Sequence, residues 1–339
     1  MSILLGILLA LVASIVPAFI YGAILWWFDR YEREPLGLLV AAFLWGAVPA
    51  IILSLIFQIL LDIPISEFTD PASASLIGAS VVAPITEELF KALALVLLFL
   101  FFRKEIDSPF DGIIYGCMAG LGFAAVENVL YLGVQALESG VVGVVVLSIL
   151  RVFIFGLNHP MFTGLTGWGI AQARISRNWA VKITAPFVGL GLAMLAHGVH
   201  NLGVSFPDLC WPCLVAFFSD WGGVLMLVGV IIWATVREQR WITTFLPEEV
   251  ELDTLSQKDY EAVRSFINRE IERAGAFFGG DFKRWWRLGR YYRLATELAF
   301  SKRRLTQFPQ ERDTQERIVS LREQVKELGW DIGYSLRAG

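Results

Sequence analysis

Two acids and one base lie within a single helical turn of a strongly apolar segment. The segment VVAPITEELFKALALVLL contains Glu87, Glu88 and Lys91, and Pro84 just before them predicts a kink or a widened turn. Charged side chains in such segments usually face a protein interior or a water-filled cavity. Because two acids oppose one base, one carboxylate has no partner charge. A surplus buried carboxylate of this kind can act as a general base.

A second acid follows a row of small residues. In the segment DGIIYGCMAGLGFAAVENVLY, Glu127 and Asn128 come after small residues that recur at four-residue spacing. Such spacing allows another helix to approach closely. We therefore expect the closest helix contact of this segment to lead directly to Glu127. The row consists of Gly112, Gly116, Gly120 and Ala124.

All three histidines of the chain also lie in apolar segments. His159 belongs to LNHPMFTGLTGWG, and His197 and His200 belong to LAMLAHGVHNLG. On one helix, His197 and Asn201 share a row with Gly189, while His200 lies one turn away on nearly the same face. Histidine titrates near neutral pH and also binds metals. Three histidines beside buried acids therefore indicate chemistry.

These residue types can support peptide hydrolysis, which needs an activated water, a stabilised oxyanion and a proton for the leaving amine. Glu87 or Glu88 can serve as the base, with Glu127 orienting or sharing the water. His197 and Asn201 can donate to the oxyanion. In this version the site contains no cofactor.

A metal-assisted version uses the same residues. Two histidines and a glutamate can bind zinc and leave a position open for water. The familiar HExxH helix is absent, and a pair of histidines three residues apart is a weak signal alone. The sequence therefore does not decide whether the site binds a divalent metal such as zinc. The candidate ligands are Glu88, Glu127, His159, His197 and His200.

A membrane transporter is the alternative outside the hydrolases. Glutamate, lysine and histidine inside apolar helices also suit a proton- or ion-coupled transporter. Transporters commonly show two similar halves with broken helices at matching positions. The motif EELFK has no counterpart in the second half of the chain. The sequence therefore favours the hydrolase.

Four motifs together resemble those of the PrsW family, one of the glutamate-dependent intramembrane proteases that include the CAAX prenyl endopeptidases. They are EELFK at 87–91, FAAVEN at 123–128, the His-Pro pair at 159–160 and HGVHN at 197–201. The resemblance covers roughly residues 20–235. It implies a bacterial membrane protease whose substrate is a membrane protein, for example a single-span anti-sigma factor. The catalytic residues that it implies are Glu87, Glu88, Glu127, His159, His197 and Asn201, with His200 as an extra candidate.

The composition predicts the elements that position these residues. The 339-residue chain is 56% hydrophobic and only 18% charged, with a mean hydropathy of +0.60. This excludes a disordered, fibrous or nucleic-acid-binding class for the whole chain. We expect an all-α polytopic membrane protein with seven or eight transmembrane helices. The apolar runs are 3–28, 36–61, 76–102, 110–133, 141–158, 183–203 and 214–236. A shorter run at 160–173 is a bent continuation, a re-entrant segment or an eighth span.

The charge distribution predicts two domains and an orientation. Residues 1–236 form a transmembrane protease domain, and residues 237–339 form a polar, helical tail. Lys and Arg occur in alternate loops, provided that 141–173 makes one net crossing. This pattern predicts a multi-pass protein of the bacterial cell membrane whose tail is cytoplasmic. The basic stretch 281–304 of the tail suits an amphipathic helix on the anionic lipid bilayer or a small helical bundle. We expect no nucleic-acid partner.

Overall fold

A computed structural model describes residues 2–28, 34–206, 210–307, 309 and 312–335, and the regular structure in these residues is helical. Three π-helical stretches interrupt or extend the α-helices, at Gly46–Ala50, Gly78–Val82 and Ile149–Ile154. A short 3-10 turn covers Arg103–Glu105. The α-helices are α1 (Ser2–Phe28), α2 (Leu36–Trp45), α3 (Ile51–Phe68), α4 (Pro71–Ile77), α5 (Ala83–Phe101), α6 (Pro109–Ser148), α7 (Asn158–Ile175), α8 (Trp179–Val204), α9 (Cys210–Phe245), α10 (Pro247–Glu251), α11 (Gln257–Val263), α12 (Phe266–Phe278), α13 (Phe282–Gln307) and α14 (Arg312–Ser335).

Five helical stretches among the described residues are long and apolar enough to cross a membrane. They are Ile3–Phe28, Leu36–Phe68, Pro109–Ile175, Trp179–Val204 and Trp211–Glu251. The all-helical, multi-pass character of the chain is thus confirmed. The stretch Pro109–Ile175 has 67 residues. At about 1.5 Å per residue it is roughly three times as long as the ~30 Å hydrocarbon core, so it is long enough for more than one crossing.

The long stretch is a helical hairpin. Gly140 has a φ of 62°, a left-handed conformation that glycine adopts without a Cβ penalty, and the chain reverses there. Arg151 on the returning arm then meets Asn128, and further along Gly167 meets Gly112. The pairs keep one antiparallel register, so α7 continues the returning arm. The short apolar run at 160–173 therefore lies on α7 and packs against α6 in the same register as the returning arm.

Close contacts at glycines hold α7 between α6 and α8. A Cβ on Gly116 would lie 3.0 Å from the Cα of Gly164. On the other side, a Cβ on Gly189 of α8 would lie 2.5 Å from the carbonyl oxygen of Leu165. Only glycine allows backbones this close. Both rows of small residues predicted from the sequence are thus helix contacts, and both lead toward polar residues.

The chain from Ile232 onward forms a second compact unit. Its core contains fully buried aliphatic residues such as Ile242, Leu298 and Leu321. Two basic residues of α13 belong to this interior. Lys302 donates to Glu249 at 2.7 Å, and the Arg303 guanidinium lies 3.5 Å above the Trp241 ring. The C-terminal half of α13 therefore belongs to a helical bundle, one of the two alternatives for this stretch.

Candidate active site

Helix α5 begins with a widened turn and carries the first cluster of charges. The π-helical stretch Gly78–Val82 directly precedes Pro84, where the sequence predicts such a turn. Glu87, Glu88 and Lys91 follow, and all three are buried. A proline at the start of an α-helix removes a backbone donor that has no intrahelical partner.

Glu88 has hydrogen-bond partners for both carboxylate oxygens. Its Oε1 accepts from Lys91 Nζ at 2.6 Å and lies 3.0 Å from His197 Nδ1. Its Oε2 accepts from the Thr163 hydroxyl at 3.0 Å. The side chain is fully buried and does not line the cavity beside it. Glu88 therefore anchors Lys91 and orients His197.

Glu87 is different, because one of its oxygens is free. Its Oε1 accepts from Gln58 Nε2 at 3.2 Å. Its Oε2 is buried and has no hydrogen-bond partner. This oxygen lies 3.8 Å from both His197 Nε2 and Lys91 Nζ, and the residue lines the cavity. Since a buried polar atom without a partner is costly, the free oxygen indicates a binding position.

A second group of charges surrounds His159 at the start of α7. His159 Nε2 lies 3.0 Å from Glu127 Oε2, and His159 Nδ1 lies 2.9 Å from Lys91 Nζ. Because the carboxylate accepts and the ammonium donates, these partners assign the ring proton to Nε2. Arg151 pairs with Glu127 at 2.5 Å and donates to Asn128 at 2.9 Å. Arg151 was missed from the sequence, although it lies within an apolar run like the other charges.

A third polar group borders the cavity through His200 and Asn158. His200 Nδ1 lies 2.6 Å from Asp220 Oδ2, which also accepts from Asn158 Nδ2 at 3.0 Å. The other oxygen of Asp220 is buried without a partner. Asp220 was missed from the sequence, although it is an acid inside the predicted span 214–236. The criterion that selected Glu127 would have found it.

One cavity of about 750 Å³ collects most of the predicted residues. Asn201 contributes through its amide, whose Nδ2 donates to the carbonyl oxygen of Ala79 at 2.8 Å and keeps a second hydrogen. Glu88 lies behind the cavity wall. The cavity is lined by Glu87, Glu127, His159, His197 and Asn201 from the predicted set, and by the extra candidate His200.

Three of these residues can hold a metal ion. One ligand atom each of Glu87, His159 and His197 lies within 4.8 Å of the others. Two imidazoles and a carboxylate form a known zinc set, and the free oxygen of Glu87 fits that role. Glu88 holds His197 Nδ1, as partners of metal-bound histidines commonly do. His159 would have to release one of its two present partners.

The remaining metal candidates from the sequence lie outside this set of three. Glu88 is held by Lys91, and His200 is held by Asp220. Glu127 is held by Arg151. Of the five candidate ligands, His159 and His197 belong to this set of three, which also includes Glu87.

Residues 34–239 match the sequence model described as PrsW family intramembrane metalloprotease. The chain belongs to the PrsW family. Protease PrsW of Geobacillus kaustophilus (strain HTA426) is 27% identical over 214 residues, which are 62% of this chain and 81% of that protein. Protease PrsW of Clostridioides difficile (strain 630) is 31% identical over 209 residues, 60% and 78% of the two chains. No solved structure matches this chain.

The PrsW match contains the whole cavity, from Gln58 to Ser205, and also Asp220. The chain is an intramembrane protease, as the motifs predict, and the transporter alternative finds no support in these comparisons. Helices α10 to α14 lie beyond the matched residues.

Proposed function

We propose that this PrsW protease cleaves its substrate in the 750 Å³ cavity, using a water held between Glu87 and His197. The observation that carries the proposal is the free Oε2 of Glu87, which lies 3.8 Å from His197 Nε2. Since Glu88 accepts the proton of His197 Nδ1, a neutral His197 has a lone pair on Nε2. A water can donate one hydrogen to each of these two acceptors.

The two acceptors give the water the geometry of a nucleophile. With both hydrogens engaged, a lone pair of the water oxygen is free to attack the scissile carbonyl carbon. The water proton passes to Glu87 or His197 while the new C–O bond forms. It then moves to the leaving amine as the C–N bond breaks. Asn201 is the neutral donor for the oxyanion, through its second amide hydrogen.

Other residues of the cluster position these groups. Glu88 fixes the His197 ring, and Lys91 links Glu88 to His159. Glu127 holds the other nitrogen of His159. A zinc ion bound to Glu87, His159 and His197 would supply a Lewis acid for the substrate carbonyl. Glu87 and His197, which otherwise hold the water, would then be two of the three metal ligands.

The substrate proposed is a membrane-embedded protein, such as a single-span anti-sigma factor. The experiment is cleavage of candidate single-span proteins co-expressed with the intact protease and with three variants. Glu87→Gln keeps the size of the side chain but loses the basic oxygen, so cleavage should stop. Glu138→Gln, at an exposed acid of α6, is the matched control and should cleave normally. Normal cleavage by Glu87→Gln would contradict the proposed role of Glu87.

The third variant, Glu88→Gln, tests whether Glu88 is the base or only positions His197. Glu88→Gln should reduce cleavage, because an amide in place of the carboxylate releases the His197 ring and leaves Lys91 without its closest partner charge. Protein that is membrane-inserted at normal abundance is required for every comparison. If only Glu88→Gln abolishes cleavage, the base is Glu88 and the free oxygen of Glu87 has another role.

We also propose seven crossings, with the tail in the cytoplasm. The five candidate spans omit α5, which has three charged residues, and treat the hairpin as one stretch. Adding α4–α5 and the returning arm through α7 gives an odd count, so the two ends of the chain lie on opposite sides. Cysteine placed at exposed Lys326, with the native cysteines replaced by serine, tests this. Labelling of Lys326→Cys in intact cells by a membrane-impermeant reagent would contradict it.

A further inference from the structure

Helices α12 and α13 present a row of large apolar side chains to solvent. Phe278 is 85% exposed, and the others are between 58% and 67% exposed. Within each helix they recur at about four-residue spacing, so each set lies on one face. We name this set the α12–α13 apolar face. It consists of Ile267, Ile271, Phe278, Phe282 and Trp286.

The tip of this helix pair is packed. The Phe277 ring lies 5.4 Å from the Phe282 ring and 5.7 Å from the Trp285 ring, centroid to centroid. On the inner side, Ala276 of α12 and Leu288 of α13 are buried in the core of the second unit. The apolar face is therefore the outer side of this helix pair. It is exposed to solvent, whereas the inner side packs against the core of the second unit.

A basic rim accompanies the apolar face. From Phe282 to Arg293, α13 contains five basic residues and no acid. The Arg290 guanidinium lies 5.8 Å from the centroid of Trp286, a member of the apolar face. By contrast, Lys302 of the same helix is bonded inside the bundle. The basic residues are Lys283, Arg284, Arg287, Arg290 and Arg293.

We propose that the α12–α13 apolar face docks on an anionic lipid surface. Apolar and aromatic side chains beside Lys and Arg are the composition of helices that lie in the membrane interface. Anionic headgroups complement the basic rim, whereas a second copy of the same face would place five basic residues against five others. The unit begins at Ile232, within α9, and α9 is part of a candidate span. The proposal does not depend on the proposed catalytic roles.

The test places an environment-sensitive fluorophore on the face in the full-length protein. Phe278→Cys carries the label, in a chain whose three native cysteines are serine, reconstituted into nanodiscs. One set contains phosphatidylcholine alone, and the other contains equal parts of phosphatidylcholine and phosphatidylglycerol. The expected result is a blue shift and stronger emission in the anionic nanodiscs. Raising the salt concentration should weaken both, because salt screens surface charges.

Matched controls locate the effect. A label at Val319→Cys, a half-exposed position of α14, should show no lipid dependence. Replacing Lys283, Arg287 and Arg290 by glutamine should abolish the shift at position 278, and Lys258→Gln with Lys326→Gln should retain it. Equal emission in both lipids, or a shift at both label positions, would overturn the proposal. An emission shift at position 278 that grows with protein concentration in detergent would show that the face binds a second copy of the chain. That result would also overturn the lipid proposal.

Discussion

Gly120→Ala should remove activity by moving His159. A Cβ at position 120 would lie 2.6 Å from the carbonyl carbon of His159 and 2.7 Å from the nitrogen of Pro160. Since an ordinary contact between carbon atoms is about 3.5 Å, α7 must retreat by about 1 Å. His159 lies at the start of α7 and contacts Glu127 and Lys91, so the retreat changes both contacts. A misplacement of 1 Å near a reacting centre can cost about 10²-fold in rate.

The assay compares cleavage rate and thermal unfolding of the purified protein in nanodiscs. Overpacking of this kind typically costs about 1–3 kcal/mol, so a lower Tm should accompany the lost rate. Gly133→Ala on the same helix is the matched control, because a Cβ there meets nothing within 4 Å. It should leave the rate unchanged. If Gly120→Ala cleaves as fast as Gly133→Ala, the close approach of α6 and α7 does not position the site.

Three further predictions concern two buried charges and the effect of removing metal. Glu88→Gln should lower the Tm, because it removes the closest partner charge of Lys91, and breaking a buried pair usually costs about 3–5 kcal/mol. Glu87→Gln should lower the Tm far less, because the Oε2 of Glu87 has no hydrogen-bond partner. Equal Tm values for the two variants would contradict the assigned partners. Thorough chelation should leave cleavage unchanged, since Glu87 and a histidine hold the water; loss of cleavage that zinc restores, with stoichiometric metal by elemental analysis, would refute this. Glu249→Gln should destabilise the second unit, because buried Glu249 accepts from Lys302 at 2.7 Å, and hydrogen exchange in that unit measures it.

The sequence predicted those features of the site that depend only on the spacing of residues within one helix. The four-residue spacing of Gly112, Gly116 and Gly120 predicts a close contact, because residues on one face of a helix meet the same neighbour. The spacing of His197 and Asn201 predicts that both point the same way, and both line the cavity. These are statements about one helix, and they need no knowledge of its neighbours.

Features that depend on a second helix could not be predicted. Glu87 and Glu88 are adjacent in sequence, and only the positions of α3, α7 and α8 decide which one faces the cavity. Thr163, which bonds to Glu88, is an ordinary residue in its own segment. The run 76–102 was among the predicted spans, but its three charged residues keep α5 out of the candidate spans of the structure.

The charges around the cavity and the hydrogen bonds there both single out Glu87 as the carboxylate without a close partner charge. Glu87, Glu88 and Glu127 oppose Lys91 and Arg151, so with neutral histidines the cluster has one surplus negative charge. Lys91 lies 2.6 Å from Glu88, and Arg151 lies 2.5 Å from Glu127. The closest pairs thus leave the surplus on Glu87, whose Oε2 also has no hydrogen-bond partner. A proton taken from water would neutralise Glu87 and pass the negative charge to the attacking oxygen and then to the oxyanion, for which Asn201 is the proposed donor. Glu87 has one hydrogen bond, from Gln58, and its nearest cation, Lys91, is 3.8 Å away, so the cost of burying its charge favours the proton transfer that the proposed mechanism requires.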